Sequence, residues 1–145
     1  MLELSRYLFV AGALPILLLG LAHAWETPLR ADQVKGLSPA DADLARAMSR
    51  TTVVLTRRTD MWRAWVGFNL SHSLGAVLFG LTVLLIGRSP SSFAAQGALF
   101  GPLAVAVSGV YLVLGVKYWF RTPIAGCGLS TALFLASWLL GLGRP

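Results

Sequence analysis

Four stretches of the chain are nearly unbroken runs of apolar residues, at 7–25, 62–86, 98–119 and 124–141, and the polar positions gather between them. At 1.5 Å per residue the shortest run reaches about 27 Å, close to a bilayer hydrocarbon core of about 30 Å. Backbone groups cannot go unpaired in lipid, and runs of this length are too long for barrel strands. The pattern therefore predicts an all-α fold: an integral membrane four-helix bundle, a single transmembrane domain over 1–145. The connections have 36, 11 and 4 residues. The last forces an antiparallel hairpin of spans 3 and 4, with Pro123 in the first turn of span 4.

The long first connection has a pattern of its own. Ser38, Pro39 and Asp41 read as a helix start, with serine as N-cap and proline at N1. From there a helix is predicted over 39–58, with Leu44, Met48 and Leu55 on one face and Arg46, Arg50 and Arg57 on the other. Such an amphipathic helix lies at the membrane interface or covers the end of the bundle.

Composition agrees with the spans. Apolar residues make up 56% of the chain and charged residues 12%, about half the share usual in soluble domains. The single cysteine, Cys127, excludes an internal disulfide and any CxxC motif. The net charge of +6 does not indicate nucleic acid binding, which needs a basic stripe on a folded face. Arg30, Lys35, Arg46, Arg50, Arg57, Arg58, Arg63, Lys117 and Arg121 lie in or beside loops 1 and 3, against Arg6, Arg88 and Arg144 at the other end of the spans. Nine against three predicts loops 1 and 3 in the cytoplasm and both termini outside. A secretory signal ending at Ala22-His23-Ala24 would need the opposite orientation, so this run is expected to stay as span 1.

Candidate chemistry concentrates in span 2. Trp62, Trp65, Asn69, His72, Ser73, Ala76 and Gly80 share one side at helical spacing. Gly67, Ser71 and Gly75 lie nearly opposite, which predicts a central helix with close neighbours on both sides. Asn69 and His72 require partners, since polar side chains in hydrocarbon are costly. By helical rise His72 lies about 15 Å into its span. It is a candidate proton acceptor, a candidate ligand to haem or a metal, or a donor to a polar group on a lipid or quinone. The plain alternative is a neutral imidazole bonded to Asn69, Ser73 or a neighbouring hydroxyl. His23 has Glu26 three residues on, a spacing that lets a carboxylate orient an imidazole. The same pair also reads as interfacial polar groups beside a Trp25 anchor. Counted from the helix ends, His23 is only about 3 Å deep, so the two histidines are expected at different heights, unsuited to gripping one haem.

No HExxH, thiolate cluster or intramembrane carboxylate predicts a metal site. In span 3, Gly97, Gly101, Ser108 and Gly115 share a packing face, Pro102 is expected in the first turns, and Tyr111 is placed to reach His72 or a ligand. Span 4 offers Cys127, Ser130, Thr131, Ser137 and Trp138, of which the serines and the threonine commonly bond back to their own helix.

The segment Thr59-Asp60-Met61-Trp62-Arg63-Ala64-Trp65-Val66-Gly67-Phe68-Asn69-Leu70-Ser71-His72-Ser73-Leu74-Gly75 resembles a family of small bacterial four-span membrane proteins. A first span ending in a histidine and a long loop whose helix holds Met48 fit the same family. The resemblance implies architecture, a bacterial membrane and a shared polar patch, and carries no activity with it. A fainter likeness is to DoxX-like four-helix proteins and to the sterol-isomerase and sigma-2 receptor fold. Those isomerases use intramembrane acidic residues, and this chain has none deep in a span.

Together these readings predict a multi-pass protein that takes a small apolar ligand, or a partner's transmembrane helices, beside Trp65, Asn69, His72, Ser73 and Tyr111. The alternative is a membrane enzyme on a lipid, quinone or sterol-like substrate. In it His72 is the acid/base, Asn69 its orienter, and His23 with Glu26 a proton relay. Haem-binding and proton-coupled readings complete the set.

Overall fold

The computed structural model describes residues 2–142, so Arg144 of the charge count lies outside the described residues. The described chain is all-α apart from one small hairpin: α1 (Leu2–Glu26), α2 (Ala42–Arg50), β1 (Thr52–Val53), β2 (Thr56–Asp60), α3 (Met61–Gly87), α4 (Pro90–Tyr118) and α5 (Arg121–Leu142). The four long helices are each apolar enough to cross a membrane, and only 22–33% of their most apolar windows is buried within the chain. Leu14, Leu18, Leu78, Leu85, Val110 and Leu139 are among the large apolar residues left exposed. In water such surfaces would drive aggregation; among lipid tails they are already in their solvent.

The helices run further than their apolar runs predict. α4 starts at Pro90 rather than near 98, because Ser89 caps it by accepting from Ser92 N (3.2 Å) and Pro90 follows at N1. The polar residues Ser91, Ser92 and Gln96 hid that first turn from a hydropathy reading. Arg88 and Ser89 alone therefore join α3 to α4, and Pro102 falls inside α4, not in its first turns. Arg121, Thr122 and Pro123 likewise belong to the first turn of α5, leaving Trp119 and Phe120 as the connection.

Loop 1 departs most from expectation. α2 begins after Asp41, whose carboxylate accepts from Asp43 N (2.8 Å), while Ser38 closes a local turn with Lys35 N and the Gln33 carbonyl. The helix stops at Arg50, because Thr51, Thr52, Val53 and Val54 are β-branched and stiff in a helix. They form an antiparallel hairpin instead, with Val53 opposite Thr56. The predicted apolar face is not kept: Ala45 is buried, Met48 is half-buried, and Leu44 and Leu55 are exposed.

Two compact units emerge, one drawing on 2–19 and 76–142 and the other on 20–75. In the first, Phe9, Phe93, Phe134, Val83 and Ile86 are buried, and Phe134 meets Phe9 and Phe79 edge-on. The buried positions of α4 are Phe93, Gly97, Gly101, Ala104, Ser108 and Gly115, so the small-residue face packs inward as expected. Two polar clasps hold this unit. Ser5 and Ser137 each donate to the other's backbone carbonyl (2.7 Å both ways), a cross-helix pair where self-bonding was expected for Ser137. Arg6 donates to the Gly87 carbonyl (2.9 Å) at the end of α3 and pairs with Glu3. The second unit carries the polar residues of α3.

Candidate functional site

The site is built where the last turn of α1 meets the first half of α3. Thr27 Oγ1 donates to the His23 carbonyl (2.7 Å), and Thr27 and Pro28 are buried. The loop then folds back over the helix end. Leu37 N donates to the Glu26 carbonyl (3.2 Å), Lys35 Nζ to the Trp25 carbonyl, and Gly36 N to the Glu26 carboxylate (2.8 Å). Leu37 N and Lys35 Nζ satisfy carbonyls that a helix C-terminus leaves open, and the lysine opposes its negative dipole end. A Cβ at Gly36 would stand 2.7 Å from Glu26 Oε2, so a side chain there would push that carboxylate aside.

The contacts between the two helices overturn the expectation of unequal heights. His23 Nε2 lies 2.8 Å from Asn69 Oδ1, and the His23 and His72 rings meet edge to face, 5.2 Å between centroids. Counting from helix ends failed because it took Trp25 and Trp62 as level. The orientation of the Asn69 amide is fixed by its other contact: Nδ2 donates to the Trp65 carbonyl (2.8 Å), which can only accept. Oδ1 therefore faces His23, and His23 carries a proton on Nε2. In the neutral ring Nδ1 is then the acceptor.

His72 also stacks on Phe68, one turn back (6.2 Å, 13° between planes). Ser73 donates to the Asn69 carbonyl (2.9 Å), so its hydroxyl supports α3 from within. Trp65 stands beside Trp62 (5.3 Å). Trp62 is buried, and its indole N–H has no acceptor among the described residues. Asn69 thus spends its carbonyl oxygen on His23 and its amide N–H on Trp65, and Glu26 spends a carboxylate oxygen on Gly36. Tyr111 belongs to the other unit, half-buried on α4 against the phenylalanine core.

The opposite face of α3 is not packed as predicted. Gly67, Ser71 and Gly75 are exposed, and among the described residues nothing lies within 4 Å of a Cβ built on Gly67. Two surface cavities lie elsewhere. One of about 560 Å³ separates the 31–40 loop from α2, and one of about 270 Å³ is bounded by Ser5, Gly97, Gly101, Ser137 and Trp138. Neither is lined by Trp65, Asn69 or His72. Among the described residues no three of His, Cys, Asp and Glu gather as a metal site would need.

The geometry that sequence reasoning missed is the His23–Asn69 bond. The available signal was that each is a polar group in an apolar helix and needs a partner. Chemically, the arrangement offers two adjacent imidazoles, one from α1 anchored by the Asn69 amide and one from α3. Compared with protein-family models, with curated proteins and with solved structures, the chain matches none.

Proposed function

We propose that this multi-pass membrane protein is a non-enzymatic binder of a small, largely apolar molecule with a hydrogen-bonding head, seated at His23, Asn69 and His72. The observation that carries the reading is the pairing of His23 with Asn69 at 2.8 Å while His72 lies 5.2 Å away, ring to ring. Three polar side chains converge in helices that are otherwise apolar, and structural register alone needs only one such bond. The buried Trp62 N–H, on the same face of α3, adds a donor that a ligand oxygen would satisfy. On the opposite face of α3, Gly67, Ser71 and Gly75 are open to close approach, which supports a partner's transmembrane helix docking there as the alternative occupant. The charge asymmetry supports a bacterial cytoplasmic membrane with loops 1 and 3 inside, and the resemblance of 59–75 to small bacterial four-span proteins supports the same location.

A second reading, enzymatic, is favoured by the adjacency of the two imidazoles. One ring beside another can pass a proton, which gives His72 an acid/base role toward a lipid, quinone or sterol-like substrate.

Native mass spectrometry of the detergent-purified chain tests the proposal. A bound small molecule in the wild type that is lost in Asn69→Leu and in His72→Ala supports it. A bare chain, or adducts indifferent to both substitutions, refutes it. Turnover of the captured molecule, abolished by His72→Ala, would select the enzymatic reading.

A further inference from the structure

The hairpin of loop 1 carries a feature that neither the polar site nor the packing of the helices uses. Its two-residue turn is Val54 and Leu55, at 109% and 94% of full exposure. Two-residue hairpin turns favour Asn-Gly, Asp-Gly or Gly-X, whose backbones reach positive φ without strain. Here a β-branched and a large aliphatic residue hold the turn, and among the described residues no φ is positive. Turn chemistry does not account for these two residues, and burial within the chain does not either.

The surroundings of the tip are cationic. From Leu44 to Thr59 there is no acidic residue and there are four arginines. Arg46 pairs with Asp43, but Arg50, Arg57 and Arg58 have no carboxylate at ion-pair distance among the described residues. All three are exposed. An apolar tip flanked by unpaired arginines matches a surface that is anionic outside and apolar just beneath.

Such a surface is within reach. β2 runs directly into α3, so five residues separate the turn from the helix, about 17 Å at strand rise. α3 has 27 residues, about 40 Å, against a hydrocarbon core of about 30 Å. The excess length lets the first turn, where Arg63 pairs with Asp60, stand at head-group level, which tethers the tip within one strand length of it. The tether makes contact an intramolecular event with a high effective concentration.

We infer that the 51–60 hairpin is a membrane-surface anchor, with Val54 and Leu55 entering the interfacial layer of an anionic leaflet and Arg50, Arg57 and Arg58 binding lipid phosphates. Guanidinium suits this role, since it is weakly hydrated and binds phosphate oxygens in pairs. Each arginine near an anionic surface shifts the docked-to-free ratio by about fivefold, and the effect is screened by salt. The anchor would fix the loop that folds over the end of α1.

The test uses the full chain with Cys127→Ala and a single environment-sensitive fluorophore on Leu55→Cys, and separately on Val54→Cys. Each is placed in nanodiscs of phosphatidylcholine alone or with one third phosphatidylglycerol. Unchanged far-ultraviolet circular dichroism certifies each variant. With phosphatidylglycerol the emission at both positions is expected to shift to the blue, to be quenched by doxyl-labelled lipid and to be shielded from iodide. Adding Arg57→Gln and Arg58→Gln should lower the docked-to-free ratio by about 25-fold and restore iodide quenching. Water-like emission with full iodide access in both bilayers overturns the inference and leaves an acidic protein surface as the partner to seek. Insertion indifferent to phosphatidylglycerol and to the arginines also overturns it.

Discussion

Gly12 faces the fully buried ring of Phe134 in the first unit, and a single methyl there tests the packing. A Cβ at Gly12 would stand 2.8 Å from both Cδ1 and Cε1 of Phe134. The ring has no room to retreat. It is fully buried, with Phe9 at 5.7 Å and Phe79 at 5.9 Å, both edge-on. Gly12→Ala should therefore destabilise by about 1–3 kcal/mol, the usual cost of overpacking. Phe134→Ala costs about 3–5 kcal/mol in a soluble core. In lipid the transfer share shrinks, because tails are as apolar as the core, so the lower end of that range is expected. In the double variant the ring is gone and the methyl occupies part of its space. The alanine penalty should vanish, a coupling of about 1–3 kcal/mol. Unfolding in mixed micelles of mild detergent and sodium dodecyl sulfate, followed by far-ultraviolet circular dichroism, measures all corners of the cycle. A double variant whose cost equals the sum of the singles to within about 0.5 kcal/mol refutes this account of the core.

Other outcomes follow from the same structure. Ser137→Ala should cost about 0.6 kcal/mol, the mean for hydrogen bonds between membrane helices, and most of that should be absent when Ser5 is already alanine. Asn69→Leu should lower stability by about 1 kcal/mol and alter the ¹⁵N shifts of His23, while a spectrum showing the Nδ1–H tautomer in the wild type would contradict the amide assignment. On loop 1 the Arg30 guanidinium, by hydrogen bond first and by charge, holds the Asp32 carboxyl below its ordinary value. The order this pair lends the loop is present above the carboxyl's unfolded value and is lost as pH falls through the lower folded one. The Asp32 carboxyl ¹³C shift should titrate below the free value in the wild type and return to it in Arg30→Gln.

How much of this was legible in the sequence depended on range. The four spans were, because an apolar run long enough to cross a bilayer admits few other structures. So was the inward face of α4, since Gly97, Gly101, Ser108 and Gly115 permit close helix contact only along that side. Helix ends were less legible. Ser89-Pro90 starts α4 through a cap that hydropathy does not register, whereas the similar Ser38-Pro39 yields to Asp41 because Ser38 is occupied in a turn. The polar face of α3 was read correctly in Trp62, Asn69 and Ser73, which are buried, but not its supposed second neighbour. The His23–Asn69 contact joins residues 46 positions apart, on two helices whose relative height no local pattern carries.

The central claim is that the two imidazoles form a ligand seat inside the membrane protein, and ¹⁵N spectra of His23 and His72 in nanodiscs test it directly. Spectra would be recorded on the chain as purified, after exhaustive detergent stripping, and after adding back the organic extract of the source membranes. The account predicts that the His72 signals move on stripping and return on add-back, and that Asn69→Leu abolishes the response. Imidazole signals that stay unchanged through all three states would contradict it.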